Sequence, residues 1–276
     1  MGERSDPGER GEIEIARDGI HRSGSRHARL RLRRPRPSLE SGGHRFPRRI
    51  SPAPARSIDR VKFVITAGPT REPIDPVRFL SNRSSGKMGY AIASAAIEAN
   101  HEVVLVSGPV NLPPPTGAKI VSVITSDEMH AAVDEAVRDC DVLVMCAAVS
   151  DYKPASVAEQ KIKKRDEKFS LELIPARDIL KSLPRSRNFF VVGFAAETND
   201  VEEHARAKLA TKNCDMMVAN DLSDPNIGME SDENAVTIFS RDGESEKILR
   251  ASKKIIACAL VKKICANAKK VLTKKF

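Results

Sequence analysis

The stretch "VKFVITAGPTREPIDPVRFLSNRSSGKMGYAIASAAIEANHEVVLVS", residues 61–107, decides the fold. Its first six residues form a short apolar run that stops at "AGPT", a turn signal. Residues 87–100 carry Met, Ile and Ala at helical spacing, with Asn100 as a C-terminal stop. Residues 102–107 are apolar again, so the order reads strand, loop, helix, strand. The loop, ending in "FLSNRSSGKMG" (79–89), looks at first like a phosphate-binding loop. That motif needs Gly, four residues, then Gly-Lys-Ser/Thr, so that backbone N–H groups wrap phosphate and a hydroxyl meets magnesium. Here Met88 follows Gly86-Lys87, and Ser81 stands five before Gly86. The motif fails. What remains is a loop of about twenty residues with a buried-looking Asn82, and loops of that length in compact domains are usually functional.

The same alternation continues outward. "GPVNLPPP" (108–115) suits neither a helix nor a central strand. "KIVSVIT" (119–125) reads as a third strand. "SDEMHAAVDEAVRD" (126–139) reads as a helix with Ser126 as cap and acidic residues in its first turn. "DVLVMCAAV" (141–149) is a fourth strand. Later come "FSLELI" (169–174), a short helix near 178–183, "FFVVGFAAE" (189–197) and a helix across 201–212. "DMMVAN" (215–220), "AVTIFS" (235–240) and a basic helix over 251–272 complete the body. Near-continuous apolar strands alternating with helices imply an α/β fold, a single Rossmann-like domain over 60–276 whose mostly parallel sheet has helices on both faces. Ligands in such sheets bind outside the carboxyl ends of the strands, which selects the loops after Thr66, Ser107, Val149 and Glu197.

Charge is distributed unevenly. Residues 1–56 hold 14 Arg and no Lys against 7 acidic residues, which leaves about +2 of the total of +9 for the other 220. Rich in Gly, Ser and Pro and without apolar periodicity, the segment 1–59 is expected to be a disordered basic extension. It has neither the apolar core of a signal peptide nor the acid-poor composition of a transit peptide. Five Cys, at 140, 146, 214, 258 and 265, are odd in number and lack metal-like spacing. They read as reduced core thiols of a cytoplasmic protein. No apolar run approaches the roughly 18 residues of a membrane span.

Several short motifs allow two readings each. Ser84, Ser85 and Gly86 before the helix could bind an anion with free N–H groups or could merely cap it. Asp151 in "AAVSDYKP" (147–154) could accept from a base amino group or sugar hydroxyl, or be a turn residue. "KIKK" (161–164) is either a solvated run or a cationic loop beside the strand ends. Lys208 and Lys212 share one helical face. A dinucleotide-binding oxidoreductase would need Gly-x-Gly-x-x-Gly after the first strand, where "TAGPTREP" stands instead. A nucleic-acid-binding protein acting through the Arg-rich tail is the other alternative. The body has no Trp and only two Tyr to interleave with basic stripes.

Taken together, "ITAGPTREPIDPVRFLSNRSSGKMGYAIA", "LVSGPV", "AAVSDYKP", "KIKK", "VGFAAET" and "VAND" resemble the bacterial phosphopantothenoylcysteine synthetases of coenzyme A biosynthesis, across roughly residues 60–250. The resemblance implies a ligase joining 4′-phosphopantothenate to L-cysteine with CTP, through an acyl-cytidylate, releasing pyrophosphate and CMP. It implies Asn82 at the acyl group and Lys161 on a loop that closes over phosphates as catalytic residues. It implies nucleotide contacts from Gly68, Ser84, Ser85, Gly86, Ala147, Ala148, Asp151, Asp178, Ile179, Phe194, Lys208 and Lys212. Substrate contacts fall to Asn82 and to Arg78, whose loop lies near a second subunit in a homodimer. Mg2+ is implied with the triphosphate, with no ligand set legible. At "PARDIL" (175–180), Ala176-Arg177 replaces a polar-Pro pair, which leaves CTP against ATP open there. The flavin-dependent decarboxylase often fused ahead of this domain has no counterpart in 1–60, so the expectation is synthesis without decarboxylation, with a separate decarboxylase as partner.

Overall fold

The computed structural model describes residues 60–273 apart from 165, 167, 198–199, 222–227 and 229, so the expected disorder of 1–59 lies outside the described residues. Strands β1 (Lys62–Ala67), β2 (Arg71–Pro73) and β3 (Phe79–Ser81) precede helix α1 (Lys87–Glu98). β4 (Glu102–Ser107), β5 (Lys119–Ser122), α2 (Ser126–Ala136) and β6 (Val142–Met145) follow. Then come β7 (Tyr152–Pro154), β8 (Leu173–Pro175), α3 (Ile179–Ser182), β9 (Phe190–Glu197) and α4 (Val201–Thr211). The chain ends with β10 (Met216–Asp221), β11 (Glu233–Ser240), β12 (Ser245–Ser252) and α5 (Lys253–Thr273).

Eight strands form one sheet in the order β12-β11-β10-β9-β6-β1-β4-β5. The six strands from β10 to β5 pair in parallel, and β11 and β12 close the other edge antiparallel. Alternate residues serve opposite faces, as a pleated strand requires. Phe63, Ile65 and Leu105 pack with α1 and α5, while Val64, Val106 and Leu143 pack with α2, α3 and α4. The sheet is therefore covered on both sides, which is why its parallel strands read as apolar runs.

The structure differs from the sequence reading at several points. The strand expected over 141–149 ends at Met145, because the next two N–H groups, of Cys146 and Ala147, donate to Thr66 Oγ1 at 3.1 and 3.0 Å instead of to a strand. The cap of α2 is Thr125, not Ser126: Thr125 accepts from the Glu128 N–H, while Ser126 donates through N–H and hydroxyl to the buried Glu72 carboxylate. The run 169–174 contributes only to β8, which pairs with β7 outside the main sheet, and the third strand stops at Ser122. The long loop after β1 also holds its own hairpin, β2–β3.

Candidate active site

β1 lies between β6 and β4, so the chain reverses its winding between β1 and β6, and a crevice opens at their carboxyl ends. The crevice walls are tied by paired hydrogen bonds. Ala148 N–H donates to Gly68 O at 2.9 Å, Thr70 N–H to Ala148 O at 3.3 Å, and Ser150 N–H to Thr70 Oγ1 at 3.0 Å. The segment after β6 is thereby zipped onto the turn after β1, and its small side chains leave backbone open to a ligand.

Gly86 begins α1 at φ 77°, with no side chain capping the helix and no acidic residue in its first turn. A Cβ on Gly86 would stand 2.7 Å from Val110 Cγ1 and 3.4 Å from the Gly68 backbone. Two glycines thus let the helix start press against the strand turn. Helix-start N–H groups and the positive dipole end then face the crevice, a setting that favours anions.

The resulting cleft has a volume of about 370 Å³. It brings together Asn82, Ser84 and Gly86 from the loop before α1, with Ala147, Ala148 and Asp151 after β6. Asp178, Ile179 and Phe194 line it too, and Lys208 and Lys212 reach it from α4. Asp178 caps α3 through the Lys181 N–H at 3.2 Å and pairs with Lys212 at 3.4 Å. Asn82 is exposed at the mouth, not buried, and its amide nitrogen donates to Ala148 O at 3.1 Å and Val149 O at 3.4 Å.

Four expected residues lie elsewhere. Gly68 does not line the cleft; a Cβ there would stand 2.9 Å from Val110 Cγ1 and 3.1 Å from the Gly108 carbonyl oxygen. Ser85 lines a neighbouring hollow with Arg71 and Pro109, while Arg78 is bound to Asp75 and to the Ile162 carbonyl. Lys161 is exposed and outside the cleft.

Residues that were not among the expected contacts also line the cleft. Lys87 and the 6% exposed Lys253 add cations at its inner end. Burial first, and the charge of Lys87 next, holds the Lys253 ammonium below the ordinary lysine pKa. Asn220, part of "VAND", has a buried Oδ1 without a hydrogen-bond partner among the described residues, an acceptor that a ligand donor would satisfy. Four lysines and Arg177 against Asp151 and Asp178 make the cleft cationic, suited to a polyanion carrying a flat ring. Cys146 lines it as a thiol pushed up to about 12 by burial, so it is no nucleophile near neutrality. Among the described residues, no group of three or more His, Cys, Asp or Glu could hold a metal ion, and no helix is long and apolar enough to cross a membrane.

Residues 58–268 match the family described as the DNA/pantothenate metabolism flavoprotein C-terminal domain. The coenzyme A biosynthesis bifunctional protein CoaBC of Escherichia coli K12 is 46% identical over 207 residues, covering 73% of this chain and 50% of that protein. The protein of the same name from Bacillus subtilis 168 is 45% identical over 208 residues, covering 75% of this chain and 51% of its own length. This chain thus spans about half the length of the curated relatives it matches. The crystal structure of the C-terminal domain of a CoaBC superposes with a TM-score of 0.66 at 40% identity, covering 77% of this chain and 98% of that one.

Proposed function

The chain belongs to the family of the DNA/pantothenate metabolism flavoprotein C-terminal domain, and we propose that it is a CTP-dependent ligase of coenzyme A biosynthesis joining 4′-phosphopantothenate to L-cysteine. A carboxylate oxygen of phosphopantothenate attacks the α-phosphorus of CTP, and the bond to the β-phosphate breaks as pyrophosphate leaves. The cysteine amine then attacks the acyl carbon and loses a proton, and CMP departs from the amide. The observation that carries this reading is the convergence of Gly86, Ala147, Ala148, Asp151, Phe194 and Lys208 on one cationic cleft at the switch point.

In this reading the start of α1 and the lysines hold the triphosphate, their charge opposing what builds on the leaving pyrophosphate. Phe194 and the small wall residues receive the base, and Asp151 accepts from the nucleoside. Asn82 fixes the wall at Ala148 and meets the acyl group from the mouth. Mg2+ would neutralise phosphate charge. Among the described residues the cleft offers it only the carboxylates of Asp151 and the lysine-paired Asp178, a donor set that fits an ion carried largely by substrate oxygens. Five free cysteines accord with a reducing cytoplasm.

The same reading includes a homodimer built on the Arg78 hairpin. It also names a phosphopantothenoylcysteine decarboxylase as the partner that takes the product. The test is pyrophosphate release from phosphopantothenate with CTP or ATP, with and without cysteine. Release with CTP alone, and amide only after cysteine, is expected. No release with either nucleotide overturns the reading, and equal rates overturn the preference for CTP.

A further inference from the structure

The turn between β2 and β3 grips the segment that carries the lysine run. Ala158 N–H donates to Ile74 O at 3.0 Å. Ile162 N–H donates to Asp75 Oδ2 at 3.1 Å, and the Ile162 carbonyl accepts from Arg78 at 2.9 Å. Ile162 is thus held on both sides of its peptide, and its chain neighbours are Lys161 and Lys163. Asp75 is the centre of this grip. Its side chain has no exposed surface and accepts from the N–H groups of Val77 and Arg78 at 2.9 and 2.8 Å. The Arg78 guanidinium adds two more bonds at 3.0 and 2.5 Å. Chiefly through Arg78, the carboxyl is held well below the usual carboxylate range.

The hairpin that carries Asp75 is itself anchored. Glu72 accepts from Ser126 N–H and Oγ at the start of α2, at 3.0 and 3.1 Å. Arg71 N–H donates to Ile124 O at 2.8 Å, and Ser81 Oγ to Thr70 O at 2.7 Å. A surface-lying loop would ordinarily lose its orientation to conformational entropy. Here a buried charge on a fixed hairpin removes that freedom at one backbone position.

We infer that Asp75 is a positioning residue for Lys161: it pins Ile162 to the hairpin, so that Lys161, exposed and outside the cleft, meets the bound polyphosphate from a fixed anchor. This rests on the reading that the cleft takes a nucleoside triphosphate. A fixed anchor lets the charge be spent in the transition state rather than on ordering the loop.

The test is a double-mutant cycle on pyrophosphate release with Asp75→Asn, Lys161→Gln and both together. Asp75→Asn should slow release by about ten- to a hundredfold, the equivalent of one charge-assisted hydrogen bond, and by much less where Lys161 is already Gln. A merely structural role gives additive losses, which would overturn the inference. Ile162→Pro supplies a second variant, since it removes the N–H given to Asp75 and leaves the Asp75–Arg78 pair intact; its ring also restricts the backbone at Lys161, so Glu159→Pro, which restricts the same loop away from the Asp75 bond, is its control. Ile162→Pro should show the same coupling to Lys161. In the unaltered protein, the Ile162 amide should exchange as slowly as the hairpin amides, and exchange of that amide at the unprotected rate overturns the pin without any variant. Absence of pyrophosphate release from the unaltered enzyme overturns the functional reading instead.

Discussion

Gly86 sets how closely α1 approaches the strand ends, and its positive φ is a conformation that L side chains adopt at a cost. Gly86→Ala should destabilise the fold by about 1–2 kcal/mol from backbone strain alone, before Val110 has moved aside. Urea denaturation measures it, and an unchanged midpoint would show that the helix start relaxes freely. Asn82 makes a different argument. Its amide donates to the carbonyls of Ala148 and Val149, so Asn82→Asp would turn two attractions into oxygen–oxygen repulsion and add charge at the proposed acyl site. Amide formation should fall by about a hundredfold or more, as when an oxyanion donor is lost, with acyl-cytidylate accumulating when cysteine is limiting. Unchanged amide formation would take Asn82 out of the site. Its place at the cleft was legible from the sequence, but not its exposure or its grip on the opposite wall, because both depend on a partner 66 residues away. Lys253 left no signal at all. It opens a basic helix among other lysines, and only the packing of α5 distinguishes the one that is buried.

At the scale of elements, the buried strands announced themselves and one edge of the sheet did not. β12, "SEKILRAS", is exposed along most of its length, so its residues answer to water and carry no apolar run. β2, β3 and β7 are three residues each, too short for any periodicity to register. Strand ends carry the titration chemistry. Cys214, just before β10, has no exposed surface, and burial pushes its thiol from 9.0 up to about 12. The folded pKa lies above the unfolded one, so the contribution to stability is complete below pH 9.0 and is lost as pH rises from there towards about 12. Within that window the thiol should cost about 1.4 kcal/mol per pH unit. Cys214→Ala should be less stable than the parent below pH 9.0 yet decline less steeply above it. Denaturant melts on either side of that pH measure both slopes, and parallel slopes would mean that the thiolate finds a counter-charge.

For the whole molecule, the order of strands was open in the sequence, since apolar runs do not say which neighbours they choose. Their parallel pairing was legible where helices long enough to cross over follow β1, β5 and β9, but not for β4 and β5, which pair in parallel across a helix-free 108–118. What the chain does with its remaining apolar surface is a question only the assembled fold poses. Val77 is 59% exposed and Phe79 48%, both on the β2–β3 hairpin, and Tyr152, Leu173 and Ile174 are exposed on β7 and β8. β2 and β7 touch, so these side chains lie on adjoining elements. Monomers rarely leave contiguous apolar patches of this kind in water. The proposed homodimer would cover them, and it would carry the Arg78 hairpin, with its pin on the lysine segment, towards the partner's cleft. Val77→Asp tests this cleanly, because the side chain points to solvent and the Val77 N–H given to Asp75 is retained. A charge buried without a partner in an interface is strongly unfavourable, so the variant should sediment as a monomer at concentrations where the parent is a dimer, and its melting temperature should no longer rise with protein concentration. Pyrophosphate release should fall with the dimer and recover as concentration drives reassociation. A parent that sediments as a monomer, or a variant that stays dimeric, would place the interface elsewhere.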